Sequence, residues 1–231
     1  MKTILKLSLM GATAWALSSC ATNNSGGSYS SANYKTYVNY DVPTKLPSNP
    51  NNVRVKVSTS KQIVYVMEGN QPLMVMPVSV GKPKSPTPKG NFRIYYKDAD
   101  RRAQTHGYAT NGSSYKGYNK SKPAPAGWSK KGTPMPYWSE FKSAYGFHTG
   151  WLKPYPCTAG CIRMHQNLAP KFFRLVKTGT PVNISTSQPE DATLGAKLKR
   201  PPNADPFPGY SVQDKMSGKV YSLHKKPVYS Q

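Results

Sequence analysis

The stretch from Phe147 to Met164 reads FHTGWLKPYPCTAGCIRM and sets one histidine, His148, a short loop before one cysteine, Cys161. A thiol and an imidazole are the minimum parts of covalent acyl transfer: the sulfur attacks a carbonyl, and the ring takes the thiol proton and later returns it to the leaving group. A free thiol has a pKa of about 8.5, so little of it is thiolate at neutral pH and the base is needed. Gly160 lets the backbone come close to a substrate. The amides around Gly160 and Cys161 are candidates to face the oxygen of a tetrahedral intermediate. Arg163, two residues on, shares a side with Cys161 in an extended segment, where it would bind a substrate carboxylate or hold the loop.

The remaining histidines and cysteines are few, because the chain has four of one and three of the other. His106 lies in a polar stretch and reads as solvated. His165 reads as a contact to, or cap of, the helix that follows. No histidine pair has the spacing of a zinc helix, so no metal and no cofactor are expected. Cys157 has two readings: a disulfide with Cys161 that would block the nucleophile reversibly, or a small packed residue out of bonding geometry.

The elements that must position this stretch are mostly strands. Val53, Val55 and Val57 alternate with Arg54 and Lys56, the period of a half-buried strand. Ser58-Thr59-Ser60 reads as a turn, Ile63 to Met67 as a second strand, and Glu68-Gly69-Asn70 as another turn. Leu73 to Val80 is a third strand, with Pro77 suggesting an edge or bulge. GKPKSPTPKG (81–90) is a rigid loop, and Phe92 to Tyr96 a fourth strand. Residues 98–134 are polar, rich in Tyr, Lys and Gly, and without periodicity, either a lid over a cleft or a floppy insertion. Asn167 is placed to cap a short helix with Pro170 in its first turn and Leu168, Phe172, Leu175 and Val176 on one face. Gly179 stops that helix, and Pro181 to Ser185 is a closing strand.

Residues 1–19 read as an export signal: Lys2 and Lys6 precede a short apolar run, about half of the ~20 residues a membrane span needs. Leu17-Ser18-Ser19-Cys20 resembles the bacterial lipobox, which implies lipidation of Cys20; otherwise the segment is an ordinary cleaved signal. Ala21 after the cysteine points by resemblance to the outer membrane. Residues 20–52 read as a flexible tether, Asn-, Ser- and Gly-rich and then Pro-rich. Residues 187–231 form a Pro/Lys-rich tail, too poor in aliphatics for a second domain, whose Phe207, Tyr210, Tyr221 and Tyr229 are candidates to pack back on the body. The formal charge is +23. In an exported protein that charge points to envelope polyanions rather than nucleic acid, and acts on encounter and retention, not on chemistry.

Set together, these motifs resemble the L,D-transpeptidase catalytic domain (YkuD-type). The carriers are Gly146-Phe147-His148-Thr149-Gly150, Thr158-Ala159-Gly160-Cys161-Ile162-Arg163, Val78-Ser79-Val80-Gly81 with Thr87-Pro88-Lys89-Gly90, Pro134-Met135-Pro136-Tyr137-Trp138, and Gly179-Thr180-Pro181-Val182. The resemblance covers about 53–186. It implies a mainly β fold with a short helix, a sandwich or barrel with a catalytic loop, no metal, and peptidoglycan stem peptides as partners. It implies that Cys161 forms the acyl-enzyme by attacking the bond between a diamino acid and D-alanine. His148 is then base and acid, oriented by the backbone carbonyl of Thr149. Gly160 belongs to the oxyanion-hole region, and Tyr137, Trp138, Ala159 and Arg163 are substrate contacts. Position 159 departs from the family, which carries a histidine there. The implied setting is the cell envelope, with the chain held to the periplasmic face of the outer membrane through Cys20. An L,D-carboxypeptidase, with water as acceptor, and a non-catalytic wall-binding lipoprotein, marked by Ala159, are the rival readings.

Overall fold

The computed structural model of the chain describes residues 31–205, 207 and 210–223. The signal segment and Cys20 lie outside the described residues, as does Tyr229. Among the described residues no helix is long and apolar enough to cross a membrane.

The body is mainly β. The strands are β1 (Val53–Ser58), β2 (Ile63–Glu68), β3 (Gln71–Ser79), β4 (Gly90–Arg93), β5 (Tyr96–Asp98), β6 (Arg102–Thr110), β7 (Tyr115–Tyr118), β8 (Ser129–Pro134), β9 (Trp138–Lys142), β10 (Tyr145–Thr149), β11 (Ile162–Met164) and β12 (Pro181–Ser185). Nine of them form one sheet in the order β4-β12-β1-β2-β3-β11-β10-β9-β5. β4 and β5 are neighbours in sequence but stand at opposite ends of that order. Phe92 to Tyr96 is therefore not one strand, as the apolar run suggested. Ile94 N–H donates to Thr180 and Tyr95 N–H to Glu140, so two successive residues bond to opposite edges and curl the sheet into a half-barrel. Pro77 stands next to the point where β3 meets β11, which pairs only with Val78 and Ser79.

The alternation in β1 buries Val53, Val55 and Val57 against Val64, Val66, Met76, Phe147, Ile162 and Phe172 inside the curl. Burying a side chain of this size contributes about 1.5–3 kcal/mol, so this core dominates the stability of the sheet. Helix α2 (Ala169–Leu175) plugs one end with Phe172 and Leu175. Its first residue is preceded by Leu168, and the Asn167 side chain does not cap it. Asn167 instead donates to the carbonyls of Val38 and Tyr40, tying down the N-terminal segment.

That segment corrects the reading of 20–52 as flexible throughout. Helix α1 (Ser31–Val38) inserts Tyr37, whose hydroxyl accepts from the Leu152 amide and whose carbonyl bonds to the His165 ring. His165 is fully buried and its other ring nitrogen accepts from the Asn167 amide, so it cements α1 to the approach of α2.

The insertion is also more ordered than its sequence suggests. β6, β7 and β8 make a separate three-stranded sheet in the order β7-β6-β8. Gly107 opposes Gly132 across β6 and β8 at a register shift, and a Cβ on either would meet the partner backbone within 2.7 Å, so the close approach requires both glycines. The tail forms α3 (Val212–Ser217) and α4 (Lys219–Leu223). Arg102 of β6 donates to the carbonyls of Lys215 and Met216, and Tyr221 donates to the Arg101 carbonyl. Phe207 and Tyr210 stack on Trp151.

Candidate active site

β10 and β11 run parallel, with His148 opposite Arg163. Paired residues point to one face, so the imidazole and the guanidinium share it, and Cys161 stands immediately before β11, two residues ahead of Arg163. His148 Nδ1–H donates to the Thr149 carbonyl at 2.8 Å. This fixes the tautomer and leaves Nε2 as the proton acceptor. Burial, the Arg163 charge and a smaller contribution from His106 outweigh that bond and hold the ring's pKa down at about 3.

The Cys161 thiol donates to the Ala144 carbonyl at 3.7 Å. Burial pushes the thiol up. The Gly146 backbone hydrogen bond and the Arg163 charge oppose this without reversing it. Burial thus favours the neutral form of both the thiol and the imidazole. Cys157 is also a free thiol, and its sulfur takes a hydrogen bond from Arg163 Nη1 at 3.8 Å rather than contacting Cys161.

The loop before Cys161 is clamped from the TPKG segment. Thr87 Oγ1 accepts from the Gly81 amide and donates to the Gly160 carbonyl, both at 2.9 Å. Gly160 has φ +113, and a Cβ there would lie 2.5 Å from the Tyr145 ring. Its N–H is turned back onto Thr158 Oγ1 at 3.1 Å, and that hydroxyl donates to the Cys161 carbonyl at 2.7 Å. The Gly160 amide thus serves the loop rather than a substrate oxygen. Gly160→Ala is expected to cost roughly 2–4 kcal/mol from the left-handed backbone and the ring clash together, read by denaturant unfolding.

Sequence reasoning missed Glu140. Its carboxylate accepts from Trp138 Nε1, the Tyr95 hydroxyl and the Ala144 amide, at 2.8–2.9 Å. Burial alone would raise its pKa, but these three donors, with Arg101, hold it below the ordinary carboxylate range. Ala144, at φ +63, is the residue whose carbonyl receives the Cys161 thiol, so Glu140 positions the partner of that thiol. The signal was in β9 itself, WSEFK, where an acidic residue stands between Trp138 and Phe141 in a chain with only nine Asp and Glu. Glu140→Gln keeps one oxygen and puts an NH₂ against a donor. It should destabilise the fold by about 1–3 kcal/mol, measured by urea unfolding.

Trp138 is buried with its ring 6.2 Å from His148, a support rather than a cleft surface. The Tyr137 ring packs edge-on against Phe173. Ala159 is exposed and lines an open recess with His106, Tyr118 and Thr133 of the insertion. On the other side, His148 and Arg163 line a cavity of about 290 Å³ walled by Tyr108, Tyr210 and Lys215. Among the described residues no cluster of three metal-binding side chains occurs.

The family model of the L,D-transpeptidase catalytic domain (YkuD) matches residues 52–184, more than half of the chain. No curated protein sequence matches. Similar solved structures include the L,D-transpeptidase (Yku) from Stackebrandtia nassauensis, at 18% identity and TM-score 0.45, covering 63% of this chain and 60% of that one. The L,D-transpeptidase from Mycobacterium smegmatis has 19% identity and TM-score 0.43, covering 58% of each chain. That from Xylanimonas cellulosilytica has 18% identity and TM-score 0.45, covering 61% of this chain and 63% of that one. The chain thus spans about 60% of the length of these structures.

Proposed function

The chain belongs to the L,D-transpeptidase catalytic-domain family, and from that premise we propose that it is a peptidoglycan acyltransferase working through a thioester on Cys161. One observation supports this most directly: an imidazole with its tautomer fixed by Thr149 stands on β10, and a free, half-buried thiol immediately precedes the strand paired with it. His148 Nε2 takes the Cys161 proton as sulfur attacks the carbonyl between the stem's diamino acid and D-alanine. The Cys161 amide, rather than that of Gly160, stabilises the oxyanion. The C–N bond breaks, the imidazolium protonates the departing D-alanine nitrogen, and the acyl group remains on sulfur. An acceptor amine then gives its proton to His148, attacks the thioester and expels the sulfur, which the ring reprotonates. Lipidation of Cys20, and with it placement on the periplasmic face of the outer membrane, completes the reading and rests on the lipobox resemblance.

The test is incubation with purified tetrapeptide stems under reducing conditions, with intact-protein mass spectrometry. The expected result is a mass gain equal to the stem minus D-alanine, mapped to Cys161, and stoichiometric D-alanine release. A folded protein without the adduct would overturn the proposal. Adding an amine acceptor then separates transfer from hydrolysis by product mass.

A further inference from the structure

The cavity beside His148 is not built by the catalytic domain alone. Tyr108 and Thr133 come from the insertion sheet, and Tyr210, Lys215 and Val220 from the C-terminal segment, well beyond the family match at 52–184. That segment is docked rather than draped. Arg102 holds the carbonyls of Lys215 and Met216, the Tyr221 hydroxyl bonds to Arg101, and Val220 is buried. Tyr210 closes the far side, with its ring on Trp151 and its hydroxyl on Gln166 at 3.4 Å.

The charges in this cavity are one-sided. Its ionised lining side chains are Arg163 and Lys215, and it is lined by no carboxylate. Arg163 Nη1 donates to the Trp151 carbonyl and the Cys157 sulfur, and the Asp205 carboxylate, outside the cavity lining, acts on Arg163 from farther away. Among the described residues, Lys215 Nζ donates to the Tyr108 hydroxyl at 3.3 Å and lies 5.2 Å from that ring. Two cationic side chains thus line one half-enclosed, otherwise largely apolar volume. An anion between them is attracted by both, and charge-assisted hydrogen bonds to a carboxylate are about twice as strong as neutral ones.

We propose that the C-terminal segment forms a wall of the substrate site, with Lys215 as a specificity residue that, together with Arg163, binds a free carboxylate of the stem peptide. This deepens the transpeptidase reading and rests on it for the identity of the ligand. A tetrapeptide stem whose third residue is a diamino diacid offers two such groups close to the scissile bond, the D-alanine carboxylate and the side-chain carboxylate of the diamino acid. Either would neutralise Arg163, whose charge depresses the basicity of His148. Binding the correct substrate would therefore also make the base stronger.

The experiment measures binding apart from chemistry. Calorimetric titration of the full chain carrying Cys161→Ser is made with three probes: the tetrapeptide with both carboxylates free, and two forms each with one of them converted to the carboxamide. Expected is a Kd at least ~10-fold higher for one of the two carboxamides, as for loss of one charge-assisted contact. That form identifies the carboxylate. Adding Lys215→Met should weaken the free-acid stem to the level of that carboxamide and leave the carboxamide itself unmoved, while Lys215→Arg restores the preference. A merely structural role for Lys215 would weaken all three probes alike. Equal Kd values for all three probes, or a preference that survives Lys215→Met in a protein with an unchanged melting temperature, would overturn the inference. Neither result touches the acyl-enzyme reading, which fails separately if the wild-type chain forms no adduct on Cys161.

Discussion

Cys161→Ala is expected to abolish acyl-enzyme formation from stem peptides, a loss on the order of 10⁶-fold as for other knocked-out covalent nucleophiles. The adjacent thiol cannot stand in for it. The Cys157 sulfur is turned to the Arg163 guanidinium, and its amide is fixed to the Val80 carbonyl, so it is held by the wall of the site rather than presented to it. Cys157→Ala should therefore keep the adduct on Cys161. It should also keep it when reductant is withheld. If wild-type labelling instead disappears without reductant and Cys157→Ala restores it, the two thiols do pair and the redox-switch reading of the sequence stands. Trypsin digestion and tandem mass spectrometry of the labelled protein separate these outcomes, because Arg163 ends a peptide that contains both cysteines.

Much of this site was legible because its parts are close in sequence. His148 and Thr149 lie on one strand, Arg163 on the adjacent one and Cys161 at the end of the loop between them, and the pairing of the two strands brings His148 and Arg163 onto one face. What was illegible depends on contacts between distant segments. The insertion gave no strand signal because β6–β8 are largely exposed, so no alternation marks them, and the pairing of Gly107 with Gly132 is invisible in either segment alone. The N-terminal helix resembled a tether because one residue, Tyr37, carries most of its docking. Phe92 to Tyr96 looked like one strand because a switch between two sheet edges changes hydrogen-bond partners without changing residue type. Lys215 escaped notice for the same reason as Glu140: its significance comes from what it faces, and a lysine in a basic tail carries no signal by itself.

His148→Ala is expected to slow acylation by roughly 10²–10⁴-fold, the usual contribution of a general base. The neutral thiol that burial favours makes this loss larger than it would be at a preformed ion pair. Burial already raises the Cys161 thiol, so without the ring almost no thiolate is present at neutral pH. The variant should therefore regain rate steadily as the pH is raised past the ordinary thiol range, whereas the wild-type chain should not need to. Wild-type acylation should also lack the fall near pH 6.5 that an ordinary histidine imposes, because the ring stays neutral until the pH approaches about 3. The same depression acts on stability. Between the unperturbed value of about 6.5 and the folded value of about 3, the unfolded chain binds a proton at this residue and the folded chain does not. Stability from this group must then decline as pH falls through that window. His148→Ala removes the term, so its melting temperature should fall less steeply than that of the wild-type chain between pH 6.5 and 4. A variant that loses activity but keeps the wild-type slope would mean that the ring is solvated and protonatable in the folded protein, and the half-buried, pre-oriented neutral base would have to be abandoned.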